Sequence, residues 1–389
     1  MRIAFYVIGN SRRSNTLDGY NIRYGGASAS GTDTSAILVA EYLAQQGHEV
    51  VFAGEFTSQG KTVHGVTYTN LLFEDIDNKT FDVLISMLWV ENYHELPITI
   101  TQGVVYWSHM QWAYGLNTLQ NFCQQHQLKM SVVHISQWES QQTSHHVQFL
   151  HQQYPIIEDL IPNPVSLDIV DEVRALNLER KKEKFVFHAT WARGGRIAYD
   201  VVDMLPWDNK EIHVFDYLMN ISINWGHTKR ISEPPPFLVG HGGSDKITIF
   251  KHLAESKYFI YPLYTPYQDV HKDTFSCVVA EAIAMGCIVL TYPLGAVPEY
   301  FNNHCCWIDV PEGFDVEKMQ KESLTKDLEG KFINPTVFHD KIEMLENDIE
   351  EQEKYLNGGY EYIKNNFSID VIGTKWLNHL NLLVSEIEP

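Results

Sequence analysis

Along the chain, short apolar runs rich in β-branched and aromatic residues alternate with stretches whose apolar positions recur at helical spacing. The runs at 3–8, 49–53, 83–87, 103–107 and 132–135 predict a first set of strands. Those at 185–189, 211–215, 237–239, 258–261, 288–292 and 306–309 predict a second. Between them, amphipathic stretches at 35–46, closed by Gly47, and at 246–256 predict helices. Strands that are apolar on both faces and separated by helices form parallel sheets covered on both sides. The alternation runs twice, so two such sheets are expected. The break falls at Ile161-Pro-Asn-Pro-Val165. Proline lacks the N–H that a helix interior or a central strand requires, so this stretch reads as a linker. A charged helix is predicted over 168–184, and acidic helices over 338–365 and 369–387.

Length agrees with the division, because 389 residues exceed what one core usually holds. Charge narrows the function. Lys+Arg number 29 against 49 Asp+Glu, a formal net charge of −20. Such a surface repels nucleic-acid backbones and anionic lipid head groups, so nucleic acid is not an expected partner and the charge weakens the case for a basic membrane-docking surface. An anionic ligand would have to be held by a few local cations and backbone dipoles. Part of the acidic excess lies at the C-terminal end, where residues 311–389 carry 17 acidic against 8 basic side chains. The five cysteines Cys123, Cys277, Cys287, Cys305 and Cys306 are odd in number, lack zinc-site spacing and include an adjacent pair. They point to a reduced, cytoplasmic compartment. The N-terminal apolar run is short for a signal peptide, and no run reaches membrane-span length.

The richest segment is Asp273-Thr-Phe-Ser-Cys-Val-Val-Ala-Glu281, followed by Gly286, a strand and Gly295-Ala-Val-Pro-Glu299. A helix opening near Phe275 at the carboxyl end of a parallel strand presents free N–H groups and the positive end of its dipole, which suits an anion. Glu281, further along that helix, could accept two hydrogen bonds from a ribose diol. Asp273 as a plain helix cap and Glu281 as a solvated helix residue remain open alternatives. Arg193, in the loop after the strand at 185–189, offers the planar fork that suits a phosphate. The glycine run Gly25–Gly31 would let backbone approach a diphosphate or simply make a turn. Asp75-Ile-Asp77 reads as a solvated turn rather than a metal motif, so no metal or cofactor is expected.

Several of these pieces resemble, in order, the retaining glycosyltransferases of family 4 (glycosyl transferases group 1), which have the GT-B fold. The segment from Asp273 to Glu281 is similar to that family's E-x(7)-E region, with aspartate in place of the first glutamate. Gly25-Gly-Ala-Ser-Ala-Ser-Gly31 with Gly47-His-Glu-Val50 resembles its N-terminal glycine loop and following strand. Val104-Val-Tyr-Trp-Ser-His109 resembles the strand ending in its active-site histidine, Ile161–Val165 its linker, and Phe185–Gly194 the opening of its donor domain.

The resemblance implies two Rossmann-like domains facing across a cleft. Residues 1–162 would bind the acceptor, 163–184 link the domains, and 185–365 bind the donor. Residues 366–389 would form a helix packing back on the N-terminal domain. The implied activity is metal-independent transfer of a hexosyl or pentosyl group from a nucleotide-diphosphate sugar, UDP- or GDP-linked, to a glycan or other hydroxyl acceptor. His109, Arg193, Asp273 and Glu281 would be the catalytic set. Gly26, His188, Arg196, Gly240, Lys246, Thr274, Phe275 and Ser276 would contact the donor. His188 stands where the family carries an arginine, so Arg196 or Lys246 would supply the second cation. Trp107, Trp112 and Tyr114 would stack on an acceptor sugar or belong to the core. No side chain reads as a nucleophile, so a front-face transfer is expected. A sugar-nucleotide epimerase or hydrolase on the same fold, and a non-catalytic nucleotide-sugar binding protein, are the alternatives.

Overall fold

A computed structural model describes residues 1–8, 17–55, 57–87, 93–110, 115–189, 193–216, 236–263, 273–309 and 335–385, with Arg196 described in backbone only. The chain forms two compact units, Met1–Ser166 with Asn366–Pro389, and Leu167–Asn365. The first is built on strands β1 (Arg2–Val7), β2 (Glu49–Gly54), β3 (Lys61–Val63), β4 (Val66–Thr69), β5 (Thr80–Met87), β6 (Thr99–Ser108), β7 (Lys129–His134) and β8 (Ile156–Leu160). Their order is β3-β4-β2-β1-β5-β6-β7-β8. All neighbours are parallel except the β3–β4 hairpin. That hairpin lies beyond the predicted strands. Its two-residue turn uses His64 and Gly65, both at positive φ (48° and 84°), the combination that matches strand twist.

Helices α1 (Asn21–Tyr24), α2 (Gly31–Gln45), α3 (Leu116–His126) and α4 (Gln137–His151) belong to the same unit. Helix α2 starts earlier than the predicted 35. Ser30 accepts from the Asp33 N–H and the Asp33 carboxylate accepts from the Ser30 N–H, a reciprocal cap. The last glycine of the loop, Gly31, is therefore already helical. The loop is fixed from its other side by buried Arg23, whose guanidinium meets the Glu41 carboxylate on α2 at 2.8 Å.

The second unit carries α5 (Leu167–Ala175), β9 (Lys181–His188), α6 (Gly195–Met204), β10 (Glu211–Phe215), β11 (Leu238–Gly240), α7 (Lys246–Glu255) and β12 (Ser256–Tyr261). It continues with α8 (Cys277–Ala284), β13 (Ile288–Thr291), α9 (Val297–Phe301), β14 (Cys305–Trp307), α10 (Pro335–Glu346), α11 (Ile349–Leu356) and α12 (Gly359–Phe367). Two predicted helices are shorter than expected. The one over 168–184 ends at Ala175, where Asn177 takes φ 49° and turns the chain into β9. The stretch 338–365 is broken at Asp348, whose side chain caps α11, and at Gly358, with φ 78°. Among the described residues the sheet is wholly parallel, in the order β11-β10-β9-β12-β13-β14. Succession reverses direction between β9 and β12. In open parallel sheets, ligands bind beyond the carboxyl ends of the strands at that reversal.

The last helix, α13 (Ile369–Val384), returns to the first unit and packs on α2, β6 and β7. Gly373 lets the Tyr42 ring of α2 approach, since a Cβ there would lie 2.4 Å from it. Trp376 is fully buried with its ring 4.5 Å from that of Trp107. Both nitrogens of buried His379 are bonded, to the Ser131 hydroxyl at 2.7 Å and the Asp159 carboxylate at 3.1 Å. The bond to His379 holds the Asp159 carboxyl below its ordinary value. All five cysteines are free thiols. Among the described residues no helix is long and apolar enough to cross a membrane.

Because Trp376 joins the last helix to the core of the first unit, Trp376→Ala should lower stability by about 3–5 kcal/mol, read as a fall in the urea midpoint. Leu382→Ala, on the exposed face of the same helix, should stay within about 0.5 kcal/mol.

Candidate active site

At the carboxyl ends of β9 and β12, two carboxylates each hold one cation. Arg193, a few residues beyond β9, donates from Nη1 to Asp273 Oδ1 and to the Tyr261 hydroxyl, the latter at 3.2 Å. The Tyr261 hydroxyl in turn donates to Asp273 Oδ2 at 2.8 Å. Burial, followed by the charge of Asp273, raises the Tyr261 phenol far above its ordinary value, so it stays a neutral donor. Gly194, at φ 100°, is needed here: a Cβ would meet the Pro262 ring at 2.8 Å, directly after β12. Gly295 plays the matching part on the other side. At φ 62° it passes so close that a Cβ would lie 2.4 Å from the Asp273 carbonyl oxygen, which accepts from the Ala296 N–H at 2.8 Å.

The second pair is deeper. Lys246 Nζ donates to Glu281 Oε1 at 2.5 Å, with side-chain exposures of 6% and 3%, so neither charge is shared with solvent. Lys246 opens α7, where the helix dipole disfavours a cation, and Asp245 caps the helix through the Thr248 N–H. Glu281 on α8 offsets that mismatch. The other carboxylate oxygen, Oε2, is buried with no hydrogen-bond partner among the described residues, and His188 Nδ1 lies 3.8 Å away. Burial, then the charge of Lys246, pushes the His188 imidazole down to about 3, so it is neutral. Ser276, before α8, holds φ 71° and ψ 71°, a strained region for a residue with a Cβ. Its hydroxyl does not cap the helix and is buried without a partner among the described residues.

Arg193, Asp273, His188, Lys246, Glu281 and Ser276 thus form two adjoining groups at one strand reversal. Thr274 is half-buried beside them. Phe275 offers only its backbone, because its ring is buried against Tyr300 and Phe301. Neither open alternative holds: Asp273 is not the helix cap, and Glu281 is not solvated. Gly240 ends the edge strand β11, with β10 between it and β9. Arg196 lies in the first turn of α6. Tyr261 and Gly295 were not among the expected site residues. The signal for Tyr261 was its position as the last residue of a strand beside the reversal.

In the first unit, His109 follows β6 and its Nδ1 lies 3.3 Å from Thr32 Oγ1 on the first turn of α2. The helix after the glycine loop and the candidate histidine are therefore in contact. Burial lowers the His109 imidazole to about 3. Gly26 takes φ 75°, with open space where a Cβ would stand, so conformation rather than close approach favours glycine. Trp107 corrects one expectation. It is fully buried between His109 and Trp376 and packs the core instead of presenting a face to a sugar. Trp112 and Tyr114 lie outside the described residues.

Comparison with protein-family models and with curated proteins finds no match. Solved structures do match over nearly the whole chain. Sucrose-phosphate synthase from Thermosynechococcus elongatus is similar with a TM-score of 0.64 at 12% identity, covering 98% of this chain and 99% of that one. A glycosyltransferase from Rickettsia africae gives 0.62 at 12% identity, covering 99% of each chain. Anabaena HepE, solved in complex with UDP, gives 0.61 at 11% identity, covering 98% and 100%. The fold is the GT-B fold of these glycosyltransferases.

The buried pair makes a stability test. Lys246→Met leaves the Glu281 charge buried alone and should cost about 3–5 kcal/mol in urea unfolding. Lys246→Met combined with Glu281→Leu strands no charge and should recover most of that loss.

Proposed function

We propose that the protein is a retaining glycosyltransferase that carries a hexosyl or pentosyl group from a nucleotide-diphosphate sugar to a hydroxyl acceptor. The donor binds the Leu167–Asn365 unit at the β9–β12 reversal, and the acceptor binds the first unit near His109. The observation that carries the reading is Glu281 Oε2, a buried carboxylate oxygen without a partner among the described residues. A buried acceptor of that kind is costly unless a ligand donor completes it, and a ribose hydroxyl is such a donor. UDP, found in the HepE structure, belongs to the ligand class that supplies both a ribose and a diphosphate.

In this reading Arg193 exchanges its bond with Asp273 for the diphosphate, leaving Asp273 and Tyr261 to orient the sugar. The backbone from Thr274 to Ser276 and the start of α8 face the phosphates. Charge that develops on the departing diphosphate is met by Arg193 and these dipoles, which need no reorganisation at the moment of reaction. Lys246, clamped by Glu281, adds positive potential without direct contact. Transfer would use no metal, since these protein cations and dipoles serve the leaving group. His109 and His188 remain neutral across the physiological range and act as hydrogen-bond partners rather than charges.

A panel of UDP-, GDP- and ADP-sugars with glycan acceptors tests the assignment. Transfer with the anomeric configuration of the donor kept is the expected product by NMR. An inverted product overturns retention; free sugar or an epimer alone, or binding without turnover, overturns transferase activity. With the active donor, Arg193→Ala should lower kcat by about 10²–10³-fold, by analogy with loss of a transition-state donor. Full activity in that variant would remove Arg193 from the mechanism.

A further inference from the structure

We propose that His213, His241 and His252 form a binding site for one divalent transition-metal ion, zinc in the first instance, in the second unit and apart from the paired carboxylates. The three histidines come from β10, from the residue after β11 and from α7, and their ligand nitrogens all lie within 4.8 Å of one another. His213 Nδ1 faces His241 Nε2 at 2.8 Å. A tetrahedral zinc with bonds of about 2.0–2.1 Å spaces its ligand nitrogens by roughly 3.3 Å. The first pair would therefore open by about half an ångström, and the His252 ring would turn inward.

Two further observations distinguish this group from a chance meeting of imidazoles. His213 Nε2 lies 3.1 Å from the Glu211 carboxylate, which can only accept. The ring proton of His213 is thus on Nε2, and Nδ1 presents its lone pair to the centre of the group. A carboxylate behind a histidine, fixing tautomer and orientation, is the usual support of a metal ligand. The second observation is His252 Nδ1, buried with no hydrogen-bond partner among the described residues. On metal binding the His241 proton moves from Nε2 to Nδ1 by exchange with solvent, so no net charge is lost from the ligands.

Lys184 is the cation nearest in effect, and its ammonium is paired to Glu255 at the end of α7. The Phe215 ring stacks on His241 at 4.5 Å and meets His188 edge-on at 6.3 Å, so it stands between the histidine group and the candidate active site. An ion held here would tie β10, β11 and α7 together behind His188. Three imidazoles and a solvent molecule complete a tetrahedral zinc.

The test is Co²⁺ titration of the untagged full chain, followed by displacement with Zn²⁺. One equivalent should bind, with the visible absorption of a tetrahedral Co²⁺ centre, and Zn²⁺ should abolish that absorption. His241→Gln and His252→Gln should each weaken binding at least tenfold. Glu211→Gln, at an exposed position that leaves the core intact, should weaken it by about 10–100-fold. His339→Gln, in the separate group of half-buried His339 with exposed Asp340 and Glu343, should leave it unchanged. Absence of a saturable single equivalent overturns the site. So does binding that survives undiminished in His241→Gln, His252→Gln and Glu211→Gln, or that is lost in His339→Gln.

Discussion

The second unit depends on the mutual neutralisation of Lys246 and Glu281. Both side chains are nearly inaccessible and both would be costly alone, so each justifies the position of the other. Helix α7 can begin with a cation only because a carboxylate from α8 meets it. Helix α8 can bury a carboxylate in its first turns only because that cation is there. The same contact leaves one glutamate oxygen facing His188 with no donor among the described residues. A structural ion pair therefore also leaves a buried acceptor unfilled beside the strand reversal.

Arg193 and Asp273 make the other pair, more accessible and closed by the Tyr261 hydroxyl. In a protein with a net charge of −20, the described cations of this site do not stand as a free cluster. Among the described side chains, Arg193 and Lys246 are each held in advance by a carboxylate, so a diphosphate bound as proposed would have to compete for Arg193. Such competition lowers affinity for a bare anion but keeps the guanidinium oriented, which reduces the entropy lost when the ligand arrives. Gly194 against Pro262, and Gly295 against the Asp273 carbonyl, hold the backbone so that the pair meets.

Much of this was legible from sequence. Apolar runs located most of the strands because parallel strands buried on both faces leave a strong signal. That Asp273, Glu281 and the loop at Arg193 meet at one end of the sheet was legible because strand ends and helix starts fix where such residues go. What was not legible depended on tertiary contact. Tyr261 looked like one more core aromatic until its hydroxyl was seen between Arg193 and Asp273. Trp107 ended a strand beside a candidate histidine, yet the return of α13 buries it under Trp376. His213, His241 and His252 lie on three elements with no common spacing, and only the sheet order brings them together. Helix ends shifted where single residues intervened, as with Asn177 at positive φ and the Ser30–Asp33 cap.

The central claim is that Glu281 receives the ribose of a nucleoside diphosphate. Calorimetric titration can isolate that contact by comparing whichever of UDP, GDP and ADP binds with its 2′,3′-dideoxy analogue, in the wild type and in Glu281→Gln. A hydrogen bond to a charged group is worth about 1.5–3 kcal/mol, so removal of the hydroxyls should weaken wild-type binding by roughly 10–150-fold. In Glu281→Gln the same removal should cost far less, leaving a clear coupling energy between carboxylate and ribose. An equal loss in both proteins would contradict the claim and place the ribose away from Glu281.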